Sequence, residues 1–284
     1  MSGRFRSFSF VDRITRLDRG GTPGRVEGHY TVPLGAHFPA SLMAEAVGQL
    51  AAWSAMAQLD FAQRPVAGLA SAVHYHQLPK PGCTLRLLAD IERCDAEAVA
   101  YSGKAFIDGQ PALELVDSVG PMLPMEEFDA PDAVRADFHT LLGGGAAPGR
   151  FGGVPLPELH DLQGQSGERL GATLQVPEAS AAPYFGDHFP RRPVFPGTLL
   201  MDALAALSVQ LVQQSGPLAG ISELVSRKVT QVKIRSFTAP GARLQLEVVL
   251  QDADAQRARL KIAARSEDKT IATARIEVTP RSAS

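Results

Sequence analysis

Almost the same phrase occurs twice in this chain. It is Gly35-Ala36-His37-Phe38-Pro39 and, 151 residues later, Gly186-Asp187-His188-Phe189-Pro190. Each copy leads into an apolar stretch of helical spacing. Each stretch is followed by alternating segments broken by Pro-Gly, at 81–82 and at 240–241. An internal repeat of this content decides the architecture before any single residue is considered. The chain reads as two copies of one unit, and 284 residues suit two ordinary domains.

The second copy is the fuller one. Pro190, Pro193 and Pro196 fix φ and forbid regular helix or central strand through the loop. Gly197 permits a backbone conformation, or a close approach, that a side chain would obstruct. TLLMDALAALSVQLVQQ then runs as a helix in which Asp202 is the lone charge. A single carboxylate on an otherwise apolar helix is costly unless it has a partner or a task. The first copy lacks the Arg-Arg-Pro-Val-Phe-Pro-Gly segment and passes almost directly into its helix, where Glu45 is the lone early acid. Leu42, Met43, Ala46, Val47, Leu50 and Ala51 recur there at helical spacing, and the helix is expected to end before Arg64-Pro65.

Residues 66–124 read as four strands, with turns at Pro81-Gly82, Cys94-Asp95 and Asp108-Gly109. Residues 220–280 repeat that order after the second helix. One long helix followed by an antiparallel meander predicts an α+β unit with a sheet wrapped around a central helix. Between the copies, Gly143-Gly144-Gly145 and Pro148-Gly149 mark a flexible linker after a short helix at 131–142. The expected boundaries are a first unit over 1–126, a linker over 127–152 and a second unit over 153–284.

Composition narrows the function. A net charge of −2 gives no general attraction to nucleic acid or to an anionic membrane. Cys83 and Cys94 make no disulfide framework and fit a reducing compartment. The start of the chain has no apolar signal region, and Glu45 and Asp202 interrupt the longest apolar runs, so a soluble cytoplasmic protein is expected. No glycine-rich nucleotide loop follows a strand, so no cofactor is expected. His74 and His76 share a sheet face but have no evident further ligands, so no metal is expected.

HFPRRPVFPGTLLMDAL resembles the active-site segment of the β-hydroxyacyl-(acyl carrier protein) dehydratases, a hotdog-fold family. The family pattern is His-Phe-Pro-x-x-Pro-x-x-Pro-Gly with an acid fourteen residues after the histidine. It is matched at His188, Phe189, Pro190, Pro193, Pro196, Gly197 and Asp202. The aspartate resembles the dehydratase-isomerase branch, while PVFPG suits the branch that uses glutamate, and both stay open. The FSFVDRI segment is similar to the family's opening. The resemblance implies a double hotdog that forms an internal pseudo-dimer, with further oligomerisation open. It implies loss of water from β-hydroxyacyl thioesters carried by acyl carrier protein phosphopantetheine or by coenzyme A.

That reaction needs a base, donors for the charge on the carbonyl oxygen, and an acid for the departing hydroxyl. Histidine suits the base because its ordinary pKa of about 6.5 lies near working pH. The first turn of the second helix, at Gly197 and Thr198 beside Phe195, offers free N–H groups and the positive dipole end. Burial of the helix acid would raise its pKa and keep it a proton donor. In the family each site takes its histidine from one hotdog and its acid from the other. Carried over, this pairs His188 with Glu45 and His37 with Asp202, and the intact loop favours the first pair. Arg191, Arg192, Arg227, Lys228, Lys233 and Arg235 are candidates for a phosphopantetheine or carrier-protein contact. Two alternatives remain: a hotdog thioesterase and a non-catalytic acyl-thioester binding protein.

Overall fold

The computed structural model describes residues 7–18, 24–147, 151–154, 158–165, 167–214 and 216–281. The first half comprises β1 (Arg13–Leu17), β2 (Gly24–Thr31), α1 (Ser41–Gln58), β3 (Gln63–Pro65), β4 (Leu69–Tyr75), β5 (Thr84–Cys94), β6 (Ala98–Ile107) and β7 (Gln110–Pro124). After α2 (Pro131–Leu142) come β8 (Leu159–Gln165), β9 (Arg169–Gln175), α3 (Gly197–Gln214), β10 (Leu224–Ile234), β11 (Arg243–Ala253), β12 (Ala258–Ser266) and β13 (Lys269–Pro280).

The strands form an antiparallel sheet in the order β1-β2-β5-β6-β7-β4-β10-β13-β12-β11-β9-β8, with β3 added to β7. That order is the same from either end once each strand is matched to its counterpart in the other half. The midline is the β4–β10 pair, where Val73 faces Val229 and Leu69 faces Lys233. The repeat seen in the sequence is therefore a repeat of topology, and the fold is a double hotdog.

Each half wraps its helix for the same reason. Leu42, Met43, Ala46, Val47, Leu50 and Ala51 of α1 are fully buried, as the 3.6-residue spacing requires of a core-facing stripe. Leu200, Ala203, Leu204, Leu207 and Leu211 do the same for α3. The helices also pack on each other. Gly103 lets α1 lie on the sheet, because a Cβ there would stand 2.4 Å from Val47 Cγ1 and 2.7 Å from Leu88 O. Asp108 and Gly109 have φ of 50° and 78°, the left-handed pair that a tight β6–β7 hairpin demands.

Helix α2 covers the expected residues. Pro131 occupies its first turn, and Val134, Phe138 and Leu141 face inward. Phe138 stacks on Trp53 at 6.2 Å and meets Phe61 edge-on at 5.4 Å, so α2 lies against the back of α1. Just after it, Ala146 N–H donates to Asp12 O at 2.7 Å. The expected linker residues Pro148 and Gly149 lie outside the described residues. Strand β3 was not expected, since Arg64-Pro65 reads as a helix stop. Its edge position tolerates the proline. No described helix is long and apolar enough to cross a membrane.

Candidate active site

A cavity of about 260 Å³ runs along one face of α1. Ser41, Glu45, Gly48, Gln49, Ala52 and Met56 line it, at the three- and four-residue steps of a single helical stripe. From Ser41 to Met56 that stripe is roughly 22 Å long at ~1.5 Å per residue. The opposite wall comes from β4, β6 and β7 of the first half and from the 187–198 segment of the second. Leu69 and Val119, cross-strand partners that are both partly exposed, sit at its rim.

His188 and Glu45 both line this cavity, and they come from different halves of the chain. The prolines hold the 187–196 segment out of regular structure, and the His188–Phe189 peptide is cis. The His188 ring lies over the Phe189 ring at 4.1 Å and meets Phe8 edge-on at 5.4 Å. His188 Nδ1 is 2.8 Å from Val194 O. A carbonyl can only accept, so Nδ1 carries the proton and Nε2 of the neutral ring has the free lone pair. Burial holds the His188 pKa below the ordinary histidine value, against an opposing pull from the Glu45 carboxylate.

Glu45 is held at both oxygens. Thr198 Oγ1, at the start of α3, donates to Oε2 at 2.8 Å, and Gln49 Nε2 donates to Oε1 at 3.1 Å. Gln49 also donates to Phe8 O at 3.0 Å and accepts from Phe10 N–H at 2.8 Å, which fixes its amide. The Asp187 carboxylate completes the enclosure. Its Oδ2 accepts from Ser7 N–H and Phe8 N–H at 2.9 Å each and from Ser9 Oγ at 3.2 Å. The segment 7–10 is thus strapped across the histidine by one carboxylate and one amide.

Gly197 and Thr198 open α3 at the cavity wall. Leu199 and Leu200 N–H groups donate to Pro196 O, while the Gly197 and Thr198 N–H groups have no partner within the helix. A Cβ at Gly197 would meet only Ile234, at 3.6 Å. Its φ lies outside the left-handed region. The polypeptide itself therefore does not require glycine there.

A FabA-like domain model matches residues 163–275, which include the His188 loop and α3 but not Glu45. The 3-hydroxyacyl-(acyl-carrier-protein) dehydratase FabZ of Zymomonas mobilis is 36% identical over 136 residues, covering 48% of this chain and 73% of that protein. The chain belongs to the FabZ dehydratase family. FabZ of Rhizorhabdus wittichii is 41% identical over 66 residues, 23% of this chain and 42% of that enzyme. Against such relatives the chain spans about half their length or less. Two solved structures share the fold over nearly the whole chain. The dehydratase domain of PpsC from Mycobacterium tuberculosis, in complex with C12:1-CoA, has a TM-score of 0.54 at 15% identity and covers 96% of this chain and 100% of its own. The 12:0-ACP thioesterase from Umbellularia californica has a TM-score of 0.51 at 12% identity, covering 90% and 94%.

The second pair of this FabZ-family chain sits differently. His37 is exposed, and neither it nor Asp202 lines the cavity. They are close enough to interact. Burial pushes the Asp202 carboxyl above the ordinary range, while His37 and the Ser41 hydroxyl draw it back. Phe195 is buried and borders the cavity beside Tyr184. Among the candidate cations, Arg191 donates to Glu126 O and Arg192 pairs with Glu127 at 2.6 Å over the Phe128 and Phe237 rings. Arg227 donates to His76 O at 2.9 Å, and Lys233 stands across from Leu69 at the rim. His74 and His76 do share a face, with parallel rings 6.3 Å apart. Among the described residues no three potential metal ligands cluster. Sequence reasoning missed Phe8, Gln49 and Asp187. Gln49 was within reach of it, being four residues from Glu45 on the same helical face.

Proposed function

We propose that this chain dehydrates 3-hydroxyacyl thioesters to trans-2-enoyl thioesters at a site shared by its two halves. The observation that carries the proposal is that His188 of one half and Glu45 of the other line one apolar cavity. Nε2 of His188 removes the proton from carbon 2. The electron pair moves toward the thioester carbonyl, whose oxygen takes the N–H of Gly197 at the positive end of α3. The C3–O bond then breaks, and Glu45, which carries a proton in the reactive form of the pair while His188 is neutral, gives that proton to the departing hydroxyl, which leaves as water. Proton return from the imidazolium to Glu45 resets the pair. Thr198 and Gln49 hold the Glu45 carboxyl in place for this.

The two halves act as the subunits of an internal pseudo-dimer, with working boundaries at 1–126 and 153–284. His37 and Asp202 lie outside the main cavity and do not turn over substrate. The substrate is carried by phosphopantetheine, on acyl carrier protein or coenzyme A, and the exposed Lys233 across from Leu69 is a candidate contact for its phosphate. The free thiols Cys83 and Cys94 suit a cytoplasmic setting.

Mass spectrometry of 3-hydroxyacyl carrier protein tests the reading. Loss of one water by the wild type, abolished in His188→Ala and Glu45→Gln and retained in Asp202→Asn, is expected. Release of free acid would make the chain a thioesterase instead. Inactivity of Asp202→Asn with an active Glu45→Gln would reverse the pairing.

A further inference from the structure

One pair of groups in the cavity wall has no part in that chemistry. Ser118 on β7 is 4% exposed, and its Oγ is buried without a hydrogen-bond partner among the described residues. Its cross-strand neighbour is Tyr101 on β6. Both line the same cavity as His188 and Glu45. The surrounding wall is apolar, made by Val99, Leu115, Ala52, Met56, Ala70 and Val73. The Tyr101 hydroxyl reaches across to α1, where a Cβ on Gly48 would stand 3.2 Å from it. Glycine at 48 leaves that room. The phenol lies beside Ser118, yet the two make no hydrogen bond of good geometry.

An all-alkyl chain would leave the Ser118 oxygen without a partner. Buried hydroxyls are nearly always satisfied, and an unsatisfied one in a cavity wall calls for a partner from the cavity. We propose that Ser118 and Tyr101 form a polar subsite for an oxygen function, a hydroxyl or a keto group, on the acyl chain beyond the reacting carbons. The proposal rests on the dehydratase reading and narrows its substrate class to oxygenated acyl thioesters. The subsite lies about one helical turn past Glu45 along α1. Three residues at ~1.5 Å put it ~4.5 Å further along α1, or about four bonds of an extended chain at ~1.2 Å each. Counted from the carbon that loses its hydroxyl, that reaches about carbon 7, with carbon 5 the nearer limit.

The test uses pantetheine thioesters of equal chain length. One is the plain 3-hydroxyacyl compound, and the others carry a further hydroxyl on carbon 5 or carbon 7. Wild-type kcat/KM is expected to favour one oxygenated substrate by ~10-fold or more, since sites built to bond a hydroxyl reject the analogue that lacks it. Ser118→Ala and Tyr101→Phe should each erase or invert that ratio. Equal wild-type rates on all substrates would overturn the proposal, as would variants that slow every substrate alike. Equilibrium binding of the matching non-reactive 3-deoxy thioethers runs in parallel. A binding preference that Ser118→Ala abolishes, with no enoyl product from any thioester, keeps the subsite and refutes the dehydratase reading alone. No preference in binding or in turnover refutes the subsite.

Discussion

Replacing Gly197 with alanine should separate stability from activity. The added methyl would meet Ile234 at 3.6 Å, an ordinary van der Waals distance, and the φ at 197 suits any residue. The folded state therefore loses nothing, while the unfolded chain loses freedom, which favours folding by up to ~1 kcal/mol. At about 2–4 °C per kcal/mol in a large domain, thermal denaturation should show an unchanged Tm or a rise of ~1–3 °C. The same methyl would stand in the cavity wall, against Ile234 and next to the N–H groups that open α3. A thioester carbonyl displaced there by about 1 Å loses ~10²-fold in rate, and loss of the donor altogether costs ~10²–10³-fold. The assay is enoyl-thioester formation followed by ultraviolet absorbance, with calorimetry on the same preparation. A stable variant of full activity would refute the placement of the carbonyl at Gly197. A variant destabilised by more than ~1 kcal/mol would show that the glycine serves the fold.

Three further outcomes are expected. Because burial depresses the His188 pKa, kcat/KM should stay level down to about pH 6.5 and fall only as pH drops through the lower folded value. The same shift makes the unfolded chain the better proton binder, so this histidine's share of stability is present above about pH 6.5 and is lost on acidification. Asp202→Asn should raise Tm at neutral pH, because the buried carboxylate has a raised pKa and its charge is costly. The gain should shrink as pH falls below that raised value and be gone below about pH 4, and a lower Tm at pH 7 would count against it. Thr198→Val removes the bond to Glu45 Oε2 and should reduce kcat ~10-fold or more with little change in KM, whereas a pure KM effect would point to a binding role.

The sequence made the repeat, both helices and the meander legible, and it brought His188 and Glu45, which line one cavity, to notice, because each is written locally: a proline pattern, a 3.6-residue stripe, a Pro-Gly turn. The pairing needed one more step, the family's habit of sharing sites between hotdogs. What stayed hidden depends on residues far apart in the chain. Asp187 reaches back 178 to 180 residues to bind segment 7–9, and no local pattern announces such a contact. Alternation along β6 and β7 marks inward positions, but not that Tyr101 and Ser118 open onto a cavity rather than close-packed core. His37 is exposed, and helix spacing alone says nothing about which of the two histidines borders a cavity.

The mirrored strand order also bears on how such a site can change over generations. In an assembly of two identical chains every substitution is made twice, so a histidine lost from one site is lost from both. Here His37 and His188, and likewise Glu45 and Asp202, are encoded separately. A mutation in one leaves its counterpart untouched. Selection can therefore act on the His188 loop and α1 without acting on the opposite corner, where His37 is exposed beside a shorter loop.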